Sequence, residues 1–190
     1  MEAVYVDQHS GLVAECRQGN QKAQFELYRL YSKSMFNTAM RIVNHTDEAA
    51  DILQEAFLDA FLRIADFRQE TTFGLWIKRI VINKAISHLR KKKMEWVGLE
   101  DEQLNNVAAE ENEAKDKDEE LQLQAEEIRK AIQLLPGGYR IVLSLYLLEG
   151  YDHEEISHIL QISENTSRTQ FLRAKRKLIE NIKKHQNRYN

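Results

Sequence analysis

The chain has 190 residues, which at roughly 100–200 residues per domain allows one domain or two small ones. Seven glycines and one proline, Pro136, leave too few turn-formers for an all-β sandwich, and a single cysteine, Cys16, excludes an internal disulfide and a cysteine-built zinc site. No run of about 18 apolar residues and no basic-then-apolar leader is present, so a cytoplasmic chain with no membrane insertion is expected.

The net charge of −3 is unevenly distributed. Residues 1–93 carry 14 Lys+Arg against 11 Asp+Glu, residues 94–120 carry 2 against 11, and residues 121–190 carry 11 against 8. Two mildly basic blocks therefore flank a strongly acidic segment, and the bulk charge says nothing against an anionic partner. Both blocks show helical rather than strand periodicity. The expected fold class is all-α: two small helical domains, an N-terminal helical bundle (1–93) and a C-terminal helix-turn-helix domain (121–190), joined by an acidic flexible linker (94–120).

In the first block a short helix is expected at 10–18 and a longer one from about 20 to 43. Phe25, Tyr28, Met35, Phe36, Ala39 and Ile42 recur at helical spacing along the longer one. Thr46 or Asp47 can cap the next helix, which runs to about residue 65 with Leu53, Phe57, Phe61 and Ile64 as its core face. On a distinct face of that helix, Asp51, Gln54, Glu55, Leu58 and Leu62 follow one another at spacings of three and four. A mixed acidic and apolar stripe suits a protein-docking surface; the alternative is a three-helix core that buries both leucines. After the polar loop 66–70, Thr71 or Thr72 opens a helix through residue 93. Residues 71–94 hold seven basic side chains and no acid. Arg79, Asn83, Ser87 and Arg90 share one stripe, while Trp76, Ile77, Ile80 and Val81 can pack inward. Arg and Asn can hydrogen-bond base edges and aromatic rings can stack on unpaired bases, although by pattern alone the helix could bind any polyanion.

Segment 94–120 has sparse, irregular apolar residues (Val97, Leu99, Leu104, Val107), too few to offset the entropy of ordering, so a disordered tether is expected. Beyond it, a helix near 121–134 is stopped by Leu135-Pro136-Gly137-Gly138, and an apolar helix follows at about 139–149. Two more are expected at 152–160 and 164–182. Asp152 and Glu155 form a capping-box signature, and Ile156, Ile159 and Leu160 an apolar stripe. Gln161-Ile162-Ser163 makes a short turn with Ser163 placed to cap the last helix, on which Phe171, Ala174 and Leu178 recur. This is the layout of a helix-turn-helix, whose second helix enters the DNA major groove. From Ser163 onward there are eight basic residues against two acidic ones, as phosphate contacts require. The alternative is an ordinary helical hairpin with a solvated basic face. His153 and His158 imitate a zinc-peptidase HExxH with one extra residue, but five helical positions rotate the second about 140° from the first. They are read as solvated, and no metal or cofactor is expected. With no nucleophile–base pair and no Gly-rich phosphate loop, the chain reads as no enzyme.

Taken in order, these segments resemble the extracytoplasmic-function (ECF) sigma factors, compact two-domain subunits of bacterial RNA polymerase, over nearly all of residues 20–183. Asp51-Ile-Leu-Gln-Glu55-Ala-Phe57 looks like the family's DxxQExF docking motif. Phe73-Gly-Leu-Trp76-Ile-Lys-Arg-Ile-Val-Ile-Asn83, ending in Arg90-Lys-Lys-Lys93, is similar to its −10 segment. Glu149 to Ile156 and Thr166 to Ala174 look like its −35-reading helix-turn-helix.

The resemblance implies that Asp51, Gln54, Glu55 and Leu58 grip the clamp helices of the largest subunit of core RNA polymerase. It implies that the loop 66–72, with Arg68 and Thr72, and the helix bearing Trp76, Arg79 and Asn83 capture the unwound −10 strand of promoter DNA. Arg168, Thr169, Leu172 and Arg173 would face the duplex −35 element, with Lys175, Arg176 and Lys177 on phosphates. It further implies an acidic linker threaded through the polymerase, and an anti-sigma factor that holds the chain inactive. Promoter elements some 25 base pairs apart lie about 85 Å apart, which 27 residues reach only when nearly extended, at about 90 Å. Four positions depart from the family's habit: Gln161 for a turn glycine, Ser167 for a β-branched apolar residue, Gln170 for an arginine, and Ser87 for an acid. The promoter sequence is accordingly not readable. Two other readings stay open here. A free-standing helix-turn-helix regulator explains 152–177 but not the 51–62 stripe, and a protein-binding helical adaptor treats the basic helices as solvated faces. Cys16 is left between a packed and a redox-sensing role.

Overall fold

Local groups set several helix ends in the N-terminal half. Helix α1 (Ser10–Arg17) stops before Gly19, whose φ of +81° favours glycine. Asn20 then opens α2 (Gln21–Val43), its side chain accepting from the N–H groups of Lys22 and Ala23. Asn44 closes α2 in the left-handed region at φ 57°. Helix α3 (Thr46–Leu62) is capped by the His45 ring, which accepts from Glu48 N–H, and not by Thr46 or Asp47 as expected. A 3-10 turn at Ile64–Asp66 and a polar loop lead to α4 (Phe73–Trp96).

The computed structural model describes residues 7–96 and 119–186, and the chain divides into two units, Met1–Glu100 and Asp101–Asn190. In the first, α2, α3 and α4 pack against one another, and α1 packs on α2 and the 3-10 turn. Leu27, Met35, Ile42, Phe57, Phe73 and Ile77 are among the side chains buried between them. One apolar residue departs from the expected series: Phe25 is 64% exposed, and the inward face of α2 runs instead through Ala23, Leu27, Met35 and Ala39.

The second unit contains α5 (Glu119–Gln133), α6 (Gly137–Leu147), α7 (His153–Leu160) and α8 (Glu164–Gln186). Helix α8 packs on the other three, and Ile132, Leu135, Leu143 and Ala174 form the shared core. Arg140 is buried beside it and donates from Nη1 to the Leu135 carbonyl at 3.1 Å, across the Pro136 turn. Burial lowers its pKa to about 10, which still leaves it charged at neutral pH. Of the expected tether 94–120, residues 97–118 lie outside the described residues; α4 runs to Trp96 and α5 begins at Glu119. Among the described residues every regular element is helical, and no helix is long and apolar enough to cross a membrane.

Candidate functional site

Helix α3 turns Ile52, Leu53, Ala56 and Phe57 inward, which fixes what its opposite face can show. Asp51, Gln54, Glu55, Leu58 and Leu62 are all exposed, the two leucines at 61% and 74%. The alternative in which the core takes both leucines is thereby overturned. Two leucines in line with carboxylates form a stripe that water solvates poorly and a protein partner could cover, at about 1.5–3 kcal/mol per leucine fully buried. From α4, Lys84 Nζ reaches Asp59 at 2.7 Å and Glu55 at 3.4 Å. The hydrogen bond to Asp59 raises the Lys84 pKa, and the same bond holds the Asp59 carboxyl below the usual range. An open groove of about 530 Å³ lies between the helices, with Asp51 and Glu55 on one wall and Asn83 and Ser87 on the other.

The loop ahead of α4 is pinned at its two ends by buried rings, Phe67 and Phe73. Between them Arg68, Gln69, Glu70 and Thr71 are exposed, and Gln69 holds φ at 59°, a conformation that costs a non-glycine residue energy. Thr72 Oγ1 accepts from Leu75 N–H at 3.3 Å, so this side chain also caps the helix. Trp76 is half-buried. Its ring stacks on Phe67 at 5.0 Å and lies 5.8 Å from Phe73, so part of its surface is already committed within the protein. Arg79, Asn83, Ser87 and Arg90 lie exposed along one stripe of α4.

Two residues here escape sequence reasoning. The Asp7 carboxylate accepts from Phe73 N–H at 2.7 Å, and the Arg17 guanidinium donates to the Phe67 carbonyl. Partners 66 and 50 positions apart leave no periodic signal. Cys16 is 2% exposed, and burial, helped by the Glu15 charge, raises its thiol pKa. It is a packed residue and no reactive thiolate.

In the C-terminal unit the turn geometry follows the sequence closely. Glu155 N–H donates to Asp152 Oδ1 at 2.8 Å and Asp152 N–H to Glu155 Oε2 at 2.9 Å, completing the capping box of α7. Gln161, standing where the turn favours glycine, adopts φ 56°. Ser163 Oγ accepts from Thr166 N–H at 3.0 Å and starts α8. His153, expected to be solvated, is half-buried instead. It stacks on Tyr146 at 4.6 Å, meets Phe171 edge-on at 5.6 Å, and shares a 2.9 Å hydrogen bond with the fully buried Ser167 hydroxyl. His158 is exposed. Among the described residues no three His, Cys, Asp or Glu side chains converge on a metal position.

On the outward face of α8, Arg168, Thr169, Leu172, Arg173, Lys175 and Arg176 are all exposed. Arg168 pairs with Glu164 one turn earlier, Lys177 with Glu180 at 3.2 Å, and Lys175 Nζ sits 5.8 Å from the Phe171 ring. The face presents fork-shaped guanidiniums and one aliphatic side chain, a combination able to meet phosphates, guanine edges and thymine methyls.

Comparison with known proteins places both halves. The Sigma-70 region 2 family matches residues 27–95 and the Sigma-70 region 4 family residues 125–178, leaving α1 and the turn before it outside both. The chain is 31% identical over 182 residues to the ECF RNA polymerase sigma-E factor of Haemophilus influenzae, covering 90% of this chain and 92% of that one. It is 30% identical over 180 residues to the RNA polymerase sigma-H factor of Pseudomonas aeruginosa, covering 89% and 91%. In fold it is similar to the sigma factor RpoE of Bartonella quintana, solved in complex with the anti-sigma factor NepR. The TM-score there is 0.60 at 20% identity, over 83% of this chain and 95% of that one.

Proposed function

The chain belongs to the ECF family of RNA polymerase sigma factors, and on that premise we propose how its faces divide the work of promoter-specific transcription initiation. Helix α3 docks core RNA polymerase through Asp51, Gln54, Glu55 and Leu58, with Leu62 extending the apolar contact. The loop 66–72 and α4 receive the unwound −10 strand through Arg68, Thr72, Trp76, Arg79 and Asn83. Helix α8 reads the duplex −35 element through Arg168, Thr169, Leu172 and Arg173, with Lys175 and Arg176 on phosphates.

One observation carries the reading: two leucines stand exposed in line with acids on α3, in a chain that also presents an exposed basic recognition helix. A free-standing DNA-binding regulator has no use for the first face, and a protein adaptor has none for the second. Extruding a base from the stack costs a few kcal/mol, so a loop already shaped to receive it turns recognition into strand separation. The protein lends specificity to the polymerase and performs no chemistry of its own; it works in the cytoplasm, where the polymerase is. An anti-sigma factor that covers the α3 and α8 faces would hold it inactive. The −9 charge of residues 94–120 suits passage through cavities lined for nucleic acid.

The test is run-off transcription on promoter fragments of the source organism by its core polymerase, with and without this protein. New discrete starts are expected only when it is added. Asp51→Ala with Glu55→Ala should weaken binding to core while helicity stays native. Failure of the unaltered chain to bind core would overturn the reading in favour of a free-standing regulator, and unchanged affinity in the double variant would remove α3 from the docking face.

A further inference from the structure

We propose that the N-terminal strap made by Asp7, His9 and Arg17 is a positioning element for the −10 capture loop. The inference rests on the role given to loop 66–72 above. It concerns residues that precede both matched regions and to which the motifs assign nothing.

The exposed part of the loop has an anchor from the strap at each end. On the entering side, Arg17 donates to the Phe67 carbonyl and, from Nε, to the Ile64 carbonyl at 3.4 Å. On the leaving side, Phe73 N–H donates to Asp7 Oδ2 at 2.7 Å. That N–H belongs to the first turn of α4, where backbone donors lack intrahelical partners and the helix dipole favours an anion. Asp7 is itself held, because its Oδ1 accepts from His9 N–H at 2.9 Å. His9 Nδ1 shares a 2.7 Å hydrogen bond with the Tyr31 hydroxyl, and the Tyr31 ring packs 5.4 Å from that of Phe73. Gly74 leaves room for this ring: a Cβ there would lie 2.7 Å from Tyr31 Cε1. Helix α1 is in turn fixed by Val13 and Cys16, both buried.

The loop needs such holding. Gln69 sits in the left-handed region, and the side chains of residues 68–71 are exposed. A segment of that kind binds a ligand well only when its ordering cost has been met in advance. The strap meets it through backbone contacts at both ends, leaving the loop side chains available to DNA.

The experiment uses the full chain assembled with core polymerase. Binding is measured to a fluorescent non-template −10 oligonucleotide, taken from a promoter whose start the run-off assay identifies, and to a scrambled oligonucleotide of equal length. Arg17→Met keeps the aliphatic stem and removes the donors; Asp7→Ala removes the acceptor, and Asp7→Asn restores one. For Arg17→Met and Asp7→Ala, we expect capture of the −10 strand to weaken about tenfold, or about 1.4 kcal/mol. Core affinity and binding to the scrambled strand should stay unchanged, and Asp7→Asn should recover most of the loss. Unchanged capture in both variants would overturn the inference. So would a parallel fall in core affinity, since general damage to the fold would then explain the loss. If the unaltered holoenzyme itself does not prefer the −10 strand, the reading of the loop falls and the strap's role with it.

Discussion

Arg168→Ala tests whether α8 reads bases or only follows phosphates. A good bidentate contact from arginine to a base edge is worth about 1–3 kcal/mol of discrimination. In the free chain the guanidinium, 59% exposed, pairs with Glu164 in an i,i+4 arrangement. An exposed pair of this kind contributes about 0.3–0.5 kcal/mol, which DNA must displace or share. The net loss on the preferred promoter is therefore about 0.5–2.5 kcal/mol, and it falls at one −35 base pair. Glu164→Gln removes the competing carboxylate and should strengthen binding by about twofold on fragments that keep the base pair Arg168 contacts, as release of a pair worth about 0.4 kcal/mol implies. The assay is holoenzyme binding to promoter fragments in which each −35 base pair is changed in turn, repeated over a range of salt. A base contact predicts that Arg168→Ala flattens discrimination at one position and leaves the salt dependence unaltered. A uniform loss on all fragments, with the slope of log K against log salt reduced by about 1, would refute base reading and make Arg168 a phosphate contact.

Leu172 is 57% exposed among basic residues, and its proposed −35 role predicts contact with a thymine methyl; replacing thymine by uracil across the −35 element should weaken the unaltered protein and leave Leu172→Ala indifferent, and equal sensitivity in both would remove that contact. Gln161→Gly relieves a left-handed residue at a cost of about 1–2 kcal/mol and restores about 0.5–1 kcal/mol of chain entropy loss, so stability should rise by about 0.5–1 kcal/mol. Thermal unfolding of the C-terminal unit should then move up by about 2–8 °C, and a downward shift would refute the strain argument. Glu48 is subject to burial, which raises its pKa, but the Lys92 and His88 contacts outweigh this and hold it below its ordinary 4.5. A lowered folded value means stability present above the ordinary pKa and lost as pH falls through the folded one. Glu48→Gln should therefore cost about 1 kcal/mol at neutral pH in urea unfolding, with the deficit shrinking progressively as pH falls below the ordinary 4.5, and a deficit undiminished in acid would sink the assignment.

What could be read in the sequence was mostly what is patterned within one or two helical turns. The Asp152–Glu155 box, the Ser163 cap and the spacing of Asp51, Gln54, Glu55 and Leu58 are local patterns, and the structure places each side chain where the spacing puts it. Burial was less legible. Phe25 and Leu27 are equally good candidates for an inward face, and only the packing of α2 against its neighbours decides that Leu27 goes in and Phe25 stays out. His45 was missed as a cap because imidazole is an uncommon one beside Thr46 and Asp47. The contacts of Asp7 and Arg17 join segments far apart in the chain, and His153 with Ser167 forms a polar pair where periodicity calls for apolar packing.

That pair also explains why two interaction faces in one chain are built on different physics. A fully buried hydroxyl is costly unless hydrogen-bonded, so Ser167 would be a poor exchange for an apolar side chain if packing were all that mattered. Its bond to His153 is directional, whereas an apolar contact tolerates sliding and rotation. Ser167 immediately precedes Arg168, and a reader of base edges works only when its side chains are held within about 10–20° of their productive orientation. The stack of His153 on Tyr146 and its edge contact with Phe171 fix the other end of the same bond. On the α3 face only an exposed contact from Lys84 to Glu55 at 3.4 Å is comparable, and docking through area does not require a tighter lock. Exposed leucines gain from area covered, a non-directional term, and long carboxylate side chains adjust to the cations they meet. On the proposed division of roles, angular accuracy is thus concentrated on the face that would read sequence, and apolar area on the face that would hold the polymerase.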